Sequence, residues 1–156
     1  MTDQQYYVRG CTALLDAVGG AIHHIAHVHK YAREEDVPEK TLFIITTDGM
    51  ENASQRYTYD KVKRMVEHEK EKYHWEFMFL GANIDAVDVA GRFGVAPDRA
   101  VRYENDPEGV NLNYEVMSDV ISYARSAGSP KEMSRRLNDA KPLGRIREDY
   151  KKRHKK

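Results

Sequence analysis

Leu42-Phe43-Ile44-Ile45-Thr46-Thr47 narrows the choice of fold more than any other segment of this chain. Its apolar side chains fill both alternating sets, and a strand buried on both faces belongs to a parallel sheet covered by helices on each side. The segments around it carry helical spacing instead. In TALLDAVGGAIHHIAHVHKYAREE, Leu14, Val18, Ile22 and Ile25 recur three and four residues apart, with Thr12 placed as N-cap and Asp16 in the first turn. Pro38 stops that helix from continuing. TYDKVKRMVEHEKEKY reads as a second amphipathic helix, and WEFMFLGANI as a second strand with an abrupt polar end. DAVDVAGRFG reads as a short helix stopped by Gly94, RAVRYE as a third strand, and NLNYEVMSDVISYARSAG as a final helix closed by Gly128. This alternation predicts an α/β fold, a three-layer Rossmann-like parallel sheet with helices on both faces and right-handed crossovers.

At 156 residues the chain has the length of one domain, expected over 1–140, with 141–156 as a basic C-terminal tail. That tail carries eight Lys or Arg against Glu148 and Asp149, while the whole chain balances 25 basic with 25 acidic residues. A solvated helix end is the expectation, and nucleic-acid binding is not. The one cysteine, Cys11, excludes an internal disulfide framework. No run reaches the roughly 20 apolar residues of a membrane span, and the polar start MTDQQYYVRG is unlike a secretory signal. A cytoplasmic protein is expected.

Ligands of such sheets gather outside the carboxyl ends of the strands. Asp48 and Asn83 follow strand ends, and Thr12 opens the first helix on the same rim. GCTALLDAV at 10–18, followed by IITTDG at 44–49, resembles the second and third parts of the metal-ion-dependent adhesion site of von Willebrand factor A (vWA) domains. The likeness runs on through FLGANIDA and GVAPDRAVRYENDPEGVNLNYEVMSDVISYAR, over residues 6–127, as in small stand-alone bacterial members. It implies that Thr12 and Asp48 are metal-site residues, and that Mg2+ binding and partner recognition form one event.

In that family the first strand ends in Asp-x-Ser-x-Ser, which supplies most of the ion's ligands. This sequence has no such segment, and no room ahead of Thr12 for the family's first strands. The resemblance therefore implies a vWA-like domain truncated to about three strands, with a partial metal site of Thr12 and Asp48. Mg2+ needs six oxygens in a near-octahedral shell, so no cofactor is expected from this chain alone and Mg2+ only where a partner completes the site. Strand 42–47, central in the family, becomes an edge here and an association site for a protein partner or a second copy.

The function expected is a non-enzymatic protein–protein interaction module. The alternative is a magnesium-dependent phosphoryl-accepting or phosphatase-like domain using Asp48, for which Glu51 is the only nearby second acid. A hydrolase built on Cys11 lacks both a Gly-x-Ser-x-Gly elbow and an evident base. In HHIAHVH, His23 and His27 share a helix face opposite the apolar stripe and His29 falls within it, so the first two read as solvated and the third as a packed core histidine. Trp75, Phe77 and Phe79 read as core rather than as a stacking platform.

Overall fold

The computed structural model describes residues 12–155, so Cys11 and residues 6–10 of the vWA-like stretch lie outside the described residues. Helix α1, Leu14–Tyr31, leads into three parallel strands, β1 Leu42–Thr47, β2 Glu76–Gly81 and β3 Ala100–Arg102, in the order β1-β2-β3. Helices α2, Tyr59–Tyr73, and α3, Ala86–Arg92, connect them, and α4 Pro107–Ser126, α5 Pro130–Ala140 and α6 Gly144–Arg153 follow. Ile44 lies beside Met78, Thr47 beside Gly81, and Leu80 beside Val101.

The pleat divides the core in two. Phe77 and Phe79 point to one face, where Ile22 of α1, Val62 and Val66 of α2 and Ala90 of α3 pack with Phe93. Met78, Leu80 and Val101 point to the other, against Val116 and Val120 of α4, Met133 and Leu137 of α5 and Ile146 of α6. This is the α/β, Rossmann-like arrangement that the alternating pattern predicts. The strand with both faces covered, however, is β2, whereas Leu42, Phe43 and Ile44 of β1 stay half-buried. Leu42 and Ile44 touch only the margin of the second cluster, where the helices leave the outer strand partly bare. Trp75, Phe77 and Phe79 are buried core residues, as their placement in the sequence suggested.

Local chemistry sets the helix ends. Thr58 caps α2 by accepting the Lys61 N–H at 3.3 Å, and Asp85 caps α3 by accepting that of Asp88 at 3.1 Å. Gly94 follows α3 at φ +81°, a left-handed conformation that glycine adopts without strain. Helix α4 begins at Pro107 rather than Asn111, because Asp106 accepts the Gly109 N–H at 2.7 Å and Pro107 fits the first helical position. A Cβ on Gly109 would stand 2.1 Å from the Glu104 carbonyl oxygen, part of the backbone that leads into the helix. Gly109→Ala is therefore expected to cost about 1–3 kcal/mol in urea unfolding. An unchanged midpoint would show that the turn has room to spare.

Two helices lie beyond the one expected to be last. Ser129 accepts the Glu132 N–H at 3.2 Å, and Glu132 in turn accepts that of Gly128 at 2.8 Å, starting α5. Leu143 and Ile146 are buried, and the Arg147 guanidinium donates to the carbonyls of Pro97, Asp98 and Ala100. Leu143 and Ile146 thus pack α6 against the sheet, while Arg145, Glu148, Lys151, Lys152 and Arg153 stay exposed as expected of a basic helix end. No described helix is long and apolar enough to cross a membrane.

Candidate functional site

The carboxyl ends of the strands form the rim that the topology singles out. Strand β1 delivers Thr47, Asp48 and Gly49. The Thr47 hydroxyl is occupied by the turn itself, donating to the Gly49 carbonyl at 3.1 Å and accepting the Gly49 N–H at 3.4 Å. Asp48 is exposed. Strand β2 leads to Asn83, whose left-handed backbone, φ 57°, turns its side-chain amide to donate to the Asp48 carbonyl at 3.4 Å. Strand β3 leads to Tyr103, buried at 6% exposure. Burial pushes its phenol up, and the charges of Asp48 and Tyr114 push in the same direction.

Thr12 reaches this rim but does not cap α1. Ala13 holds the N-cap position, and no side chain of its own supplies the cap. The acceptors come from the loop after β1: Glu51 takes the Leu15 N–H at 2.7 Å and the Ser54 hydroxyl takes that of Asp16 at 3.0 Å. Thr12 is instead tied to Asn52, donating its N–H to the side chain at 2.8 Å and accepting the Asn52 N–H at 3.1 Å. Its hydroxyl lies 3.0 Å from where a Cβ on Gly49 would stand, so the side chain packs beside the residue that follows Asp48. Thr12 and the Asp48 turn are thus brought together, as the spacing predicted, with Asn83 beside them.

Two acids near this rim serve the scaffold instead. Glu51 accepts from Leu15, Ala53 and Ser54 backbone N–H groups and from the Ser54 hydroxyl. Asp16 accepts the N–H groups of Gln55, Arg56 and Tyr57 at 3.0, 2.9 and 2.9 Å. Loop and helix therefore hold each other by exchanged carboxylates. Both carboxyls sit below their usual range. For Asp16 the Gln55 N–H is the largest influence, with those of Arg56 and Tyr57 adding to it against an opposing effect of burial. For Glu51 burial is the largest influence and acts upward, but the combined donors of Leu15, Ser54 and Ala53 outweigh it.

A carboxyl lowered in the folded state stabilises the fold above its unfolded pKa, and the contribution fades as pH falls through the folded value. Glu51→Gln is therefore expected to cost roughly 1–3 kcal/mol at neutral pH. Its deficit against the parent should shrink as pH falls below the unfolded carboxyl range and through the lowered folded value, where the parent protonates too. Urea midpoints across that range check this, and a deficit independent of pH would mean that the charge of Glu51 is irrelevant.

For a divalent ion, the rim offers the Thr12 hydroxyl and the Asp48 carboxylate. Glu51 has its oxygens committed, and among the described residues no group of three His, Cys, Asp or Glu side chains stands close enough to hold a metal. One hydroxyl and one carboxylate do not fill the octahedral shell that Mg2+ demands, so the described residues alone do not fit the ion. For phosphoryl acceptance at Asp48, the candidate second acid Glu51 is likewise committed to the loop. Elsewhere, His23 and His27 are exposed on α1, and His29 meets the Trp75 ring edge-on at 5.5 Å.

No family model matches this chain, and neither a curated protein nor a solved structure does so.

Proposed function

We infer that this is a non-enzymatic protein-interaction module that associates through the outer edge of β1, most simply with a second copy of itself. Among the described residues β1 is the outermost strand, and that position carries the reading. Thr41 and Thr47 use their carbonyls toward β2, accepting from Glu76 and Ala82. In a parallel ladder that parity leaves the N–H and C=O groups of Leu42, Ile44 and Thr46 pointing outward. Beside this edge lies a cleft of about 350 Å³ lined by Leu42, Ile44, Ile121, Ala124 and Met133. Hydrogen-bonding groups and apolar surface thus stand together, as strand addition requires.

Charge favours a twofold arrangement. Antiparallel pairing of two β1 strands centred on Ile44 brings Lys40 of one copy opposite Asp48 of the other, and a net charge of zero leaves no overall repulsion. Lys40 is already positioned, donating to the carbonyls of Arg125 and Ala127. The vWA resemblance supports the same end of the sheet as a recognition surface, with Asp48 and Thr12 contributing to an Mg2+ site that a partner's oxygens would complete.

Sedimentation velocity at micromolar concentration, with and without Mg2+, tests the reading. Dimers should weaken in Lys40→Glu and in Asp48→Lys and return when the two exchanges are combined. A monomer under all conditions overturns self-association, and dimers indifferent to all three variants overturn the β1 edge.

A further inference from the structure

At the opposite end of the sheet from the rim lies a larger groove, of about 910 Å³, between the second half of α1, the second half of α2 and the connection before β1. Glu69 stands in its wall. This acid is buried, at 6% exposure, and no described residue donates a hydrogen bond to its carboxylate. Most of the side chain is covered while its oxygens stay open to the groove, so with no protein donor they meet only what enters it. Aromatic surface surrounds it. Trp75 and Tyr73 line the groove with His29 and His68, the indole lying edge-on to His29 and the Tyr73 ring edge-on to His68 at 6.0 Å.

We propose that this groove binds an alkylammonium head with an apolar body, the Glu69 carboxylate serving as counter-charge and the Trp75 and Tyr73 rings as walls. The faces of such rings accommodate a cation and their apolar bodies its methylenes, and an acid supplies what a purely apolar cleft cannot. The remaining charges agree. Glu34 and Glu39 join Glu69 against a single lining lysine, Lys30, so carboxylates outnumber ammonium groups in the groove. His23, His27 and His29 from α1 and His68 from α2 face the same space, and Lys72 lies close enough to Glu69 to act on its charge. A metal ion is not the ligand indicated, since no described group of three ligating side chains is arranged to hold one.

Trp75 is the only tryptophan in the chain, so its fluorescence reports directly on this groove. Titration with hexylammonium at mildly alkaline pH should give a saturable change. Hexanol and hexanoate, of the same shape but neutral or anionic, should bind at least tenfold more weakly. A blocked lysine dipeptide separates the two sources of the head group: saturation by it places the ligand on a protein partner's side chain, and saturation by the free amine alone places it among small molecules. Glu69→Gln removes the charge without opening the wall and should lower affinity about tenfold. Its far-UV circular dichroism should be unchanged, because burial already opposes the charged form of Glu69. Equal binding of hexanol and hexylammonium, retention of affinity in Glu69→Gln, or the absence of any saturable change would each overturn the proposal.

Discussion

Replacing Arg99 with Ala is expected to lower stability by about 3–5 kcal/mol, because it leaves a carboxylate without its partner inside the fold. The Arg99 side chain is only 9% exposed and that of Glu76, 3.1 Å from its Nε, only 14%. The same guanidinium reaches Asp98 at 2.8 Å, the Asn138 side chain at 2.5 Å and the Ser134 carbonyl at 3.4 Å. One group thus ties the first residue of β2 to α5. Removing both charges together is a different experiment. Arg99→Met with Glu76→Leu should recover most of the loss, because neither charge then remains to be desolvated. Urea unfolding of the two variants decides it. A single variant costing under about 1 kcal/mol would mean that Glu76 finds water when Arg99 is gone.

A loss of similar size, about 3–5 kcal/mol, is expected for Phe79→Ala, where the ring is wholly buried at the centre of β2. Its centroid lies 5.7 Å from that of Phe93, which in turn meets Tyr59 edge-on at 5.4 Å. Truncation empties a site bounded by rings that cannot all move inward at once. Phe43→Ala on β1 provides the comparison. That residue is half-buried and packs tilted against Phe77 at 5.5 Å, so roughly 1–2 kcal/mol is expected. Equal losses at the two positions would contradict β1 as the open edge, because Phe43 would then have to be covered as fully as Phe79.

The sequence disclosed the elements that carry strong period and left hidden those whose reasons are remote. Strand β1 and helix α2 fall where LFIITT and TYDKVKRMVEHEKEKY place them, since an apolar run or a single apolar stripe with a Thr cap is a local signal. Helices α5 and α6 were masked by their charge. Each buries only Met133 and Leu137, or Ile146 with Leu143 just ahead of it, and stretches so rich in Lys and Arg read as solvated. The Ser129-Pro130-Lys131-Glu132 start was the available clue, as a Ser cap three residues before Glu. At the rim, spacing brought Thr12 and Asp48 to the same place but assigned Thr12 the wrong task. The cap of α1 comes from Glu51, thirty-six positions later, and a bond between residues so far apart leaves no periodic trace. Glu69 was equally hidden, since an acid on a charged helix is ordinarily solvated and only the groove wall shows that this one is not.

Helices α1, α2 and α3 cover one face of the sheet and α4, α5 and α6 the other, and the two sets do not interleave along the chain. A ribosome therefore releases a sheet with one finished side before the material for the second exists. Until the residues from Pro107 onward emerge, Met78, Leu80 and Val101 have nothing to pack against. At about 5–20 residues per second that interval lasts seconds, long compared with collapse and long enough for a holdase to find the bare surface. Nascent chains arrested just short of Pro107 should thus be the form of this protein that chaperones hold most tightly.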